Sequence, residues 1–222
     1  MLKYKKLVIV GTSHIAESSL KEIEFVFNKE NPDLIAVELD QQRLYALLSN
    51  QKPNYPLSMI KELGFKGYLF ALFGSLIQQK LGDIVGIKPG SDMLRAVQLA
   101  KLNNKKIALI DRDVRITLAR LSKAISWKEK FNFIIDFFTA PFSKKMKINL
   151  KTVPEKELIK KLLGLLKKRY PGIYRVLVEE RNKLLALKLK TLLENYPDQK
   201  IMAVLGAGHE DEVLCLIKKT QL

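Results

Sequence analysis

A chain of 222 residues with 47% hydrophobic side chains is long enough to bury one well-packed core, and that content excludes a disordered polymer. One cysteine, Cys215, excludes an internal disulfide framework and fits a reducing compartment, so a cytoplasmic location is expected. A net charge of +16 is more than a fold needs and bears on the partners the surface would attract.

The N-terminus carries Lys3, Lys5 and Lys6 directly ahead of a strand, without the pattern of a secretory signal peptide. The run Leu7 to Val10 breaks at Gly11 and places His14 three residues on. Ser18 or Ser19 then opens a predicted helix to about Asn28, with Glu22 set for a capping box and Leu20, Ile23, Val26 and Phe27 at helical spacing. Asn31-Pro32-Asp33 turns the chain into a second strand, Leu34 to Val37, which ends in Glu38 and Asp40. Strand, helix and strand in this order predict a β-α-β unit with parallel strands.

A helix over Arg43 to Leu48 follows, stopped by the prolines between Gln51 and Pro56. The segment 57–87 is apolar and punctuated by glycine. It must be covered by the core or by a second copy of the chain, so a homodimer through it is expected. Its longest uncharged stretch, Gly67 to Ile77, is about half of the roughly 20 residues a membrane span requires. Asp92 stands in the first turn of a predicted helix leading to the Ile107–Ile110 strand, which ends in Asp111-Arg112-Asp113.

Arg115 to Ile125 reads as a helix, and the phenylalanine-rich part beyond it as a helical excursion. Pro154 to Arg169 reads as another helix and Ile173 to Leu193 as a last long one. From 121 to 190 there are 18 lysines and arginines against 6 acids, a surplus of +12 in one segment. That surplus reads first as a lysine-rich solvated helical surface; an anionic membrane surface or an acidic partner could use it, and nucleic acid is the less expected partner, since no aromatic platform, zinc-finger spacing or helix-turn-helix pattern accompanies it. The strand Ile201 to Leu205 then breaks at Gly206 and delivers His209, and Glu210 to Lys219 closes the chain as a helix.

Runs of Val, Ile and Leu bounded by turn residues are strands buried on both faces, and ligands of such sheets bind past the carboxyl ends. The expected fold is therefore α/β: a mainly parallel central sheet with flanking helices, one domain over 1–222 with helical insertions near 57–87 and 121–172. Its polar cleft would receive His14, Glu38, Arg112 and His209 from four strand ends.

The chain has two histidines, both in Gly-x-x-His after a strand. Imidazole binds divalent metals and moves protons, and with two histidines a metal needs carboxylates as well. Glu38 and Asp92 are candidates, against a salt bridge to Arg112 or Arg43 for the first and simple capping for the second. In the last long helix Glu180 interrupts the apolar stripe Ile173, Leu177, Leu184 and Leu187, with Arg181 beside it; pairing with Arg112 or Arg120 is the alternative to catalysis. The planar fork of Arg112 suits a carboxylate or phosphate. The glycine turns carry neither the dinucleotide fingerprint nor the P-loop pattern, and no nucleophile elbow is present.

Taken together, Gly11-Thr12-Ser13-His14, Val37-Glu38-Leu39-Asp40 with Arg43, Pro89 to Met93, Asp111-Arg112-Asp113 with Thr117 and Arg120, Glu180-Arg181, and Gly206-Ala207-Gly208-His209 resemble the TraB family. This TraB/PrgY group is similar to the Tiki metalloproteases and the wider erythromycin-esterase/ChaN-like fold. The resemblance implies a metal-dependent peptidase-like site marked by two Gly-x-x-His motifs, with Mn favoured and Co or Zn as alternatives. It also implies bacterial relatives that shut down peptide pheromone signalling and archaeal ones with a C-terminal membrane region. Asp92 stands where Glu is expected, Asn182 where an acid is usual, and the sequence ends at Leu222 without a membrane region.

The expected function is a metal-dependent hydrolase of peptide-like substrates. His14, His209, Glu38 and Asp92 would be its ligand candidates, and Glu38, Arg112, Glu180 and Arg181 its catalytic ones. The alternative is a non-catalytic module that sequesters a peptide or anionic ligand.

Overall fold

The computed structural model describes residues 1–12, 17–49, 61, 68, 90–139 and 155–219. His14 and nearly all of the apolar 57–87 segment lie outside them, as does the dimer contact expected there. Five strands make one sheet in the order β1-β2-β5-β3-β4, with β1 Leu2–Tyr4, β2 Leu7–Thr12, β3 Leu34–Val37, β4 Lys106–Leu109 and β5 Ile201–Gly206. The expected α/β architecture is present, and β2, β5, β3 and β4 are all parallel. Two features go beyond the sequence reading. Leu2–Tyr4 adds an antiparallel edge strand, and the last strand of the chain sits at the centre, between β2 and β3.

Alternation along the strands divides the core into two layers. Val8, Val10, Ile35, Val37, Met202 and Val204 face one side. They pack against Ile23, Val26 and Phe27 of α1 (Glu17–Glu30) and Met93, Ala96, Val97 and Ala100 of α3 (Ser91–Leu102). Leu7, Ile9, Leu34, Ala36, Ile201, Ala203 and Leu205 face the other. There they meet Leu185, Ala186 and Leu189 of α8 (Glu180–Asn195) and Val213, Leu214 and Ile217 of α9 (Glu210–Lys219). Burying each such aliphatic side chain contributes about 1.5–3 kcal/mol before conformational entropy is subtracted.

The charged residues that end β3 and β4 partly serve as helix caps. Asp40 caps α2 (Gln41–Leu48), accepting from the Gln42 and Arg43 amides at 2.9 and 3.0 Å. Asp113 caps α4 (Val114–Ala124) through the Arg115 amide at 2.8 Å. Beyond α4 the chain forms α5 (Trp127–Thr139), α6 (Glu155–Arg169) and the short α7 (Pro171–Tyr174). Leu118, Leu121, Ile173 and Val176 make a separate small core there.

The long helix departs from its predicted face. One π-helical turn, Arg175–Glu179, precedes α8 and inserts a residue into the helical count. The apolar seam consequently shifts: Leu187 is 62% exposed, while Asn182, Leu185, Ala186 and Leu189 point into the body. Sequence spacing had placed Leu184 and Leu187 on that seam.

Candidate functional site

The parallel register sets Thr12 opposite Gly206, so the strands in which the two Gly-x-x-His motifs begin end side by side, and the Ala207 amide donates to the Thr12 carbonyl at 2.8 Å. Beside them β3 continues past its last paired residue, with the Glu38 amide donating to Val204 at 3.2 Å. Glu38 is thereby delivered next to the β5 turn, and its Oε2 accepts the Gly206 amide at 2.8 Å.

Glu38 is 3% exposed, a burial that a carboxylate tolerates only when it is answered by donors. Arg181 answers it. One guanidinium nitrogen donates to Glu38 Oε1 and also to Asp111 Oδ2, the latter at 2.7 Å. Arg43 approaches the same Asp111 oxygen at 3.4 Å, and Lys188 donates to the Asp111 carbonyl at 2.7 Å. Burial alone would lower the Arg181 pKa, but Glu38 and Asp111 outweigh it and hold the guanidinium charged. Two acids from the β3 and β4 ends and two arginines from α2 and α8 thus close those strand ends against α8.

His209 lies at this network's edge, 9% exposed. Its Nδ1 is 2.6 Å from Asn182 Oδ1. An amide oxygen only accepts, so Nδ1 carries the proton, and a neutral ring keeps its lone pair on Nε2. That nitrogen lies 3.5 Å from Glu38 Oε1. A proton on that nitrogen would make the contact an ion pair. Asn182 is 2% exposed and faces inward because of the π turn. At this position, where an acid was expected, it fixes the imidazole as a metal ligand's outer partner does.

Two more acids gather at the β2 end. Asp92, 1% exposed in the first turn of α3, accepts from the Thr12 hydroxyl. Glu210, also 1% exposed, packs its carboxylate where a Cβ on Gly11 would stand. Gly11 is therefore the space a buried carboxylate occupies. Sequence reasoning passed over Glu210, since nothing in the pattern ties position 210 to position 11.

Arg112 and Glu180 belong to a different group. Arg112 donates to Thr117 at 3.0 Å, to the Val176 carbonyl at 3.2 Å and to Glu180 at 3.5 Å. Arg120 grips both Glu180 oxygens, at 2.6 and 3.0 Å. The pairing of Glu180 with Arg112 and Arg120, weighed from the sequence, is present. The Arg120 hydrogen bonds, against a smaller effect of burial, hold the Glu180 carboxyl below its ordinary value, which makes it a poor proton acceptor. Among the described residues, the side chains of Arg112 and Glu180 bond none of the Arg181 group.

Three separate contacts therefore lie near the β2, β5 and β3 ends: Thr12 with Asp92, His209 with Asn182 and Glu38, and Glu210 against Gly11. The donor chemistry, one oriented imidazole beside buried carboxylates, suits a divalent ion. Among the described residues, no three His, Cys, Asp or Glu side chains converge closely enough to hold one alone, and His14 lies outside them.

The class is an α/β protein with a mainly parallel sheet, whose two Gly-x-x-His motifs begin at the ends of adjacent strands. Residues 3–219 match the TraB/PrgY/gumN family model, and the chain belongs to that family. It is 34% identical over 219 residues to an uncharacterized protein of Methanocaldococcus jannaschii, a match covering 97% of this chain and 54% of that one. It is also 23% identical over 198 residues to the human TraB domain-containing protein and 22% identical to the mouse one, each match covering 83% of this chain and 52% of theirs. The chain thus spans about half the length of the relatives it matches. Among the described residues, no helix is long and apolar enough to cross a membrane.

Proposed function

We propose that the chain is a divalent-metal-dependent hydrolase of peptide-like substrates, with its site at the carboxyl ends of β2, β5 and β3. The observation that carries this reading is the orientation of His209. Its Nδ1–H is spent on buried Asn182, and its Nε2 is turned toward Glu38 at 3.5 Å. His209, His14 and Asp92 would hold the ion, Mn being favoured and Co or Zn alternatives. An ion there supplies a Lewis acid that lowers the pKa of water and polarises a carbonyl. Arg181 and the Gly206 amide hold the Glu38 carboxylate in place beside the imidazole. Glu210, the next residue after His209 and buried against Gly11, would take and return the proton in this reading. Arg112, committed to Glu180, Thr117 and Val176, braces α4 against the long helix.

A second reading is a module that sequesters a peptide or anionic ligand without chemistry. It is favoured by the Arg181 and Arg43 pairs with Glu38 and Asp111, which already occupy one side of the strand-end cleft.

The deciding experiment is thermal unfolding of wild type, His14→Ala and His209→Ala with Mn, Co or Zn, followed by peptide hydrolysis by the loaded protein. An ion that binds only the folded state at 100 times its Kd adds roughly 2.7 kcal/mol of stability. Stabilisation lost in both variants, together with cleavage, supports the hydrolase. Folded variants and a wild type indifferent to every ion leave the sequestering module.

A further inference from the structure

Trp127 is the chain's one tryptophan, and it is 81% exposed at the start of α5. Phe131 follows at 64% exposure and Ile135 at 38%. Spacings of four put the three on one face of the helix.

The orientation of that face is fixed from behind. Glu129, 3% exposed, accepts the Gly172 amide at 2.6 Å, and Asn132 donates to the Arg169 carbonyl at 3.4 Å. Asp136 accepts from the Tyr170 hydroxyl at 2.6 Å and from Arg169 Nε at 2.8 Å. At about 100° per residue, positions 129, 132 and 136 lie on the side away from 127, 131 and 135. Lys128 and Lys130 fall on the two flanks, the Lys130 ammonium 4.1 Å from the Trp127 ring centre. The helix is therefore held to the body by polar bonds while it turns a tryptophan, a phenylalanine and an isoleucine outward between lysines.

We propose that this face of α5 docks on an anionic lipid surface. Trp127, Phe131 and Ile135 lodge at the boundary between headgroups and acyl chains, and Lys128 and Lys130 meet the lipid phosphates. An apolar stripe that includes tryptophan, flanked by lysine, suits the interface, where the indole has one apolar side and one wet side. Charge complementarity selects this occupant over a second copy of the chain. The segment 121–190 carries a surplus of +12 and the whole chain +16, so two copies meeting here repel, whereas an anionic bilayer attracts.

The single tryptophan makes the test direct. Its emission is followed as the protein is titrated with vesicles of phosphatidylglycerol and phosphatidylcholine, or of phosphatidylcholine alone. A blue shift with the anionic vesicles, quenched by brominated acyl chains, is expected. The double variant Phe131→Ser and Ile135→Ser should weaken partitioning roughly tenfold. Lys128→Gln and Lys130→Gln should each weaken it roughly fivefold. Co-sedimentation without an emission shift would reduce the effect to adsorption of a basic protein and overturn the proposal. A shift that rises with protein concentration in the absence of lipid would assign the face to a second copy, and no interaction with either vesicle would also sink it. All four substituted side chains are at or near the surface, so the variants should unfold at the wild-type temperature.

Discussion

Two groups of arginine and carboxylate lie close together in this fold and differ in what surrounds them. In the first, the side chains of Glu38 and Asp111 are 3% and 5% exposed around Arg181, and Glu38 reaches a histidine. In the second, Glu180 is 21% exposed between Arg112 and Arg120, and it ties α4 to α8. The ion-pair chemistry is the same. The difference lies in desolvation: the buried group exists only as a complete set, whereas the outer one could lose a member to water. The buried complete set lies next to an oriented imidazole, where the proposed site is, and the more exposed pair between helices serves as a brace.

The contrast predicts unequal costs. Arg181→Met leaves two buried carboxylates without their shared guanidinium and should destabilise the protein by about 3–5 kcal/mol in urea unfolding. A cost below that of an exposed pair would mean that the first group is hydrated and the contrast fails. Gly11→Ala comes next. Its Cβ would meet the Glu210 carboxylate, and displacing a buried acid from a packed strand end should cost about 1–3 kcal/mol. Asn182→Leu removes the acceptor from the His209 Nδ1–H, for about 1–3 kcal/mol in thermal unfolding. If the proposed metal is bound, the same variant should lose roughly tenfold to a hundredfold in metal affinity, a loss the outer group's variants should not show.

The sequence displays the strands of the parallel sheet and the residues at their ends, because burial on both faces leaves continuous apolar runs. It hides the order of those strands: all four runs look alike, and nothing in Ile201–Leu205 says that it is central. It hides β1, a strand of three residues with lysine on either side of Tyr4. Constant helical spacing placed Leu187 on the buried seam, and the π turn at Arg175–Glu179 moved that seam to Leu185 and Leu189 and brought Asn182 to His209. The pairing of Glu180 with Arg112 and Arg120 was legible, since an acid interrupting an apolar stripe must find a cation. The contact of Glu210 with Gly11 was not, because a glycine in a strand turn has several explanations and only packing distinguishes them.

The outer group carries the smallest prediction and the one most dependent on conditions. Arg120, chiefly through its hydrogen bonds, holds the folded-state pKa of Glu180 below the ordinary 4.5, against the opposing effect of burial. A depressed carboxylate stabilises the folded state above the unfolded value, and that contribution is lost as pH falls through the folded value. Arg120→Met should therefore destabilise the protein slightly at neutral pH, with the variant and wild-type curves converging as Glu180 is protonated below pH 4.5. Molar salt should narrow the neutral-pH gap as well, because Arg120 is 53% exposed and its field is screened. Arg181 is enclosed with its acids, so Arg181→Met should keep most of its cost in the same salt. Equal salt sensitivity in the two variants would erase the distinction between brace and site.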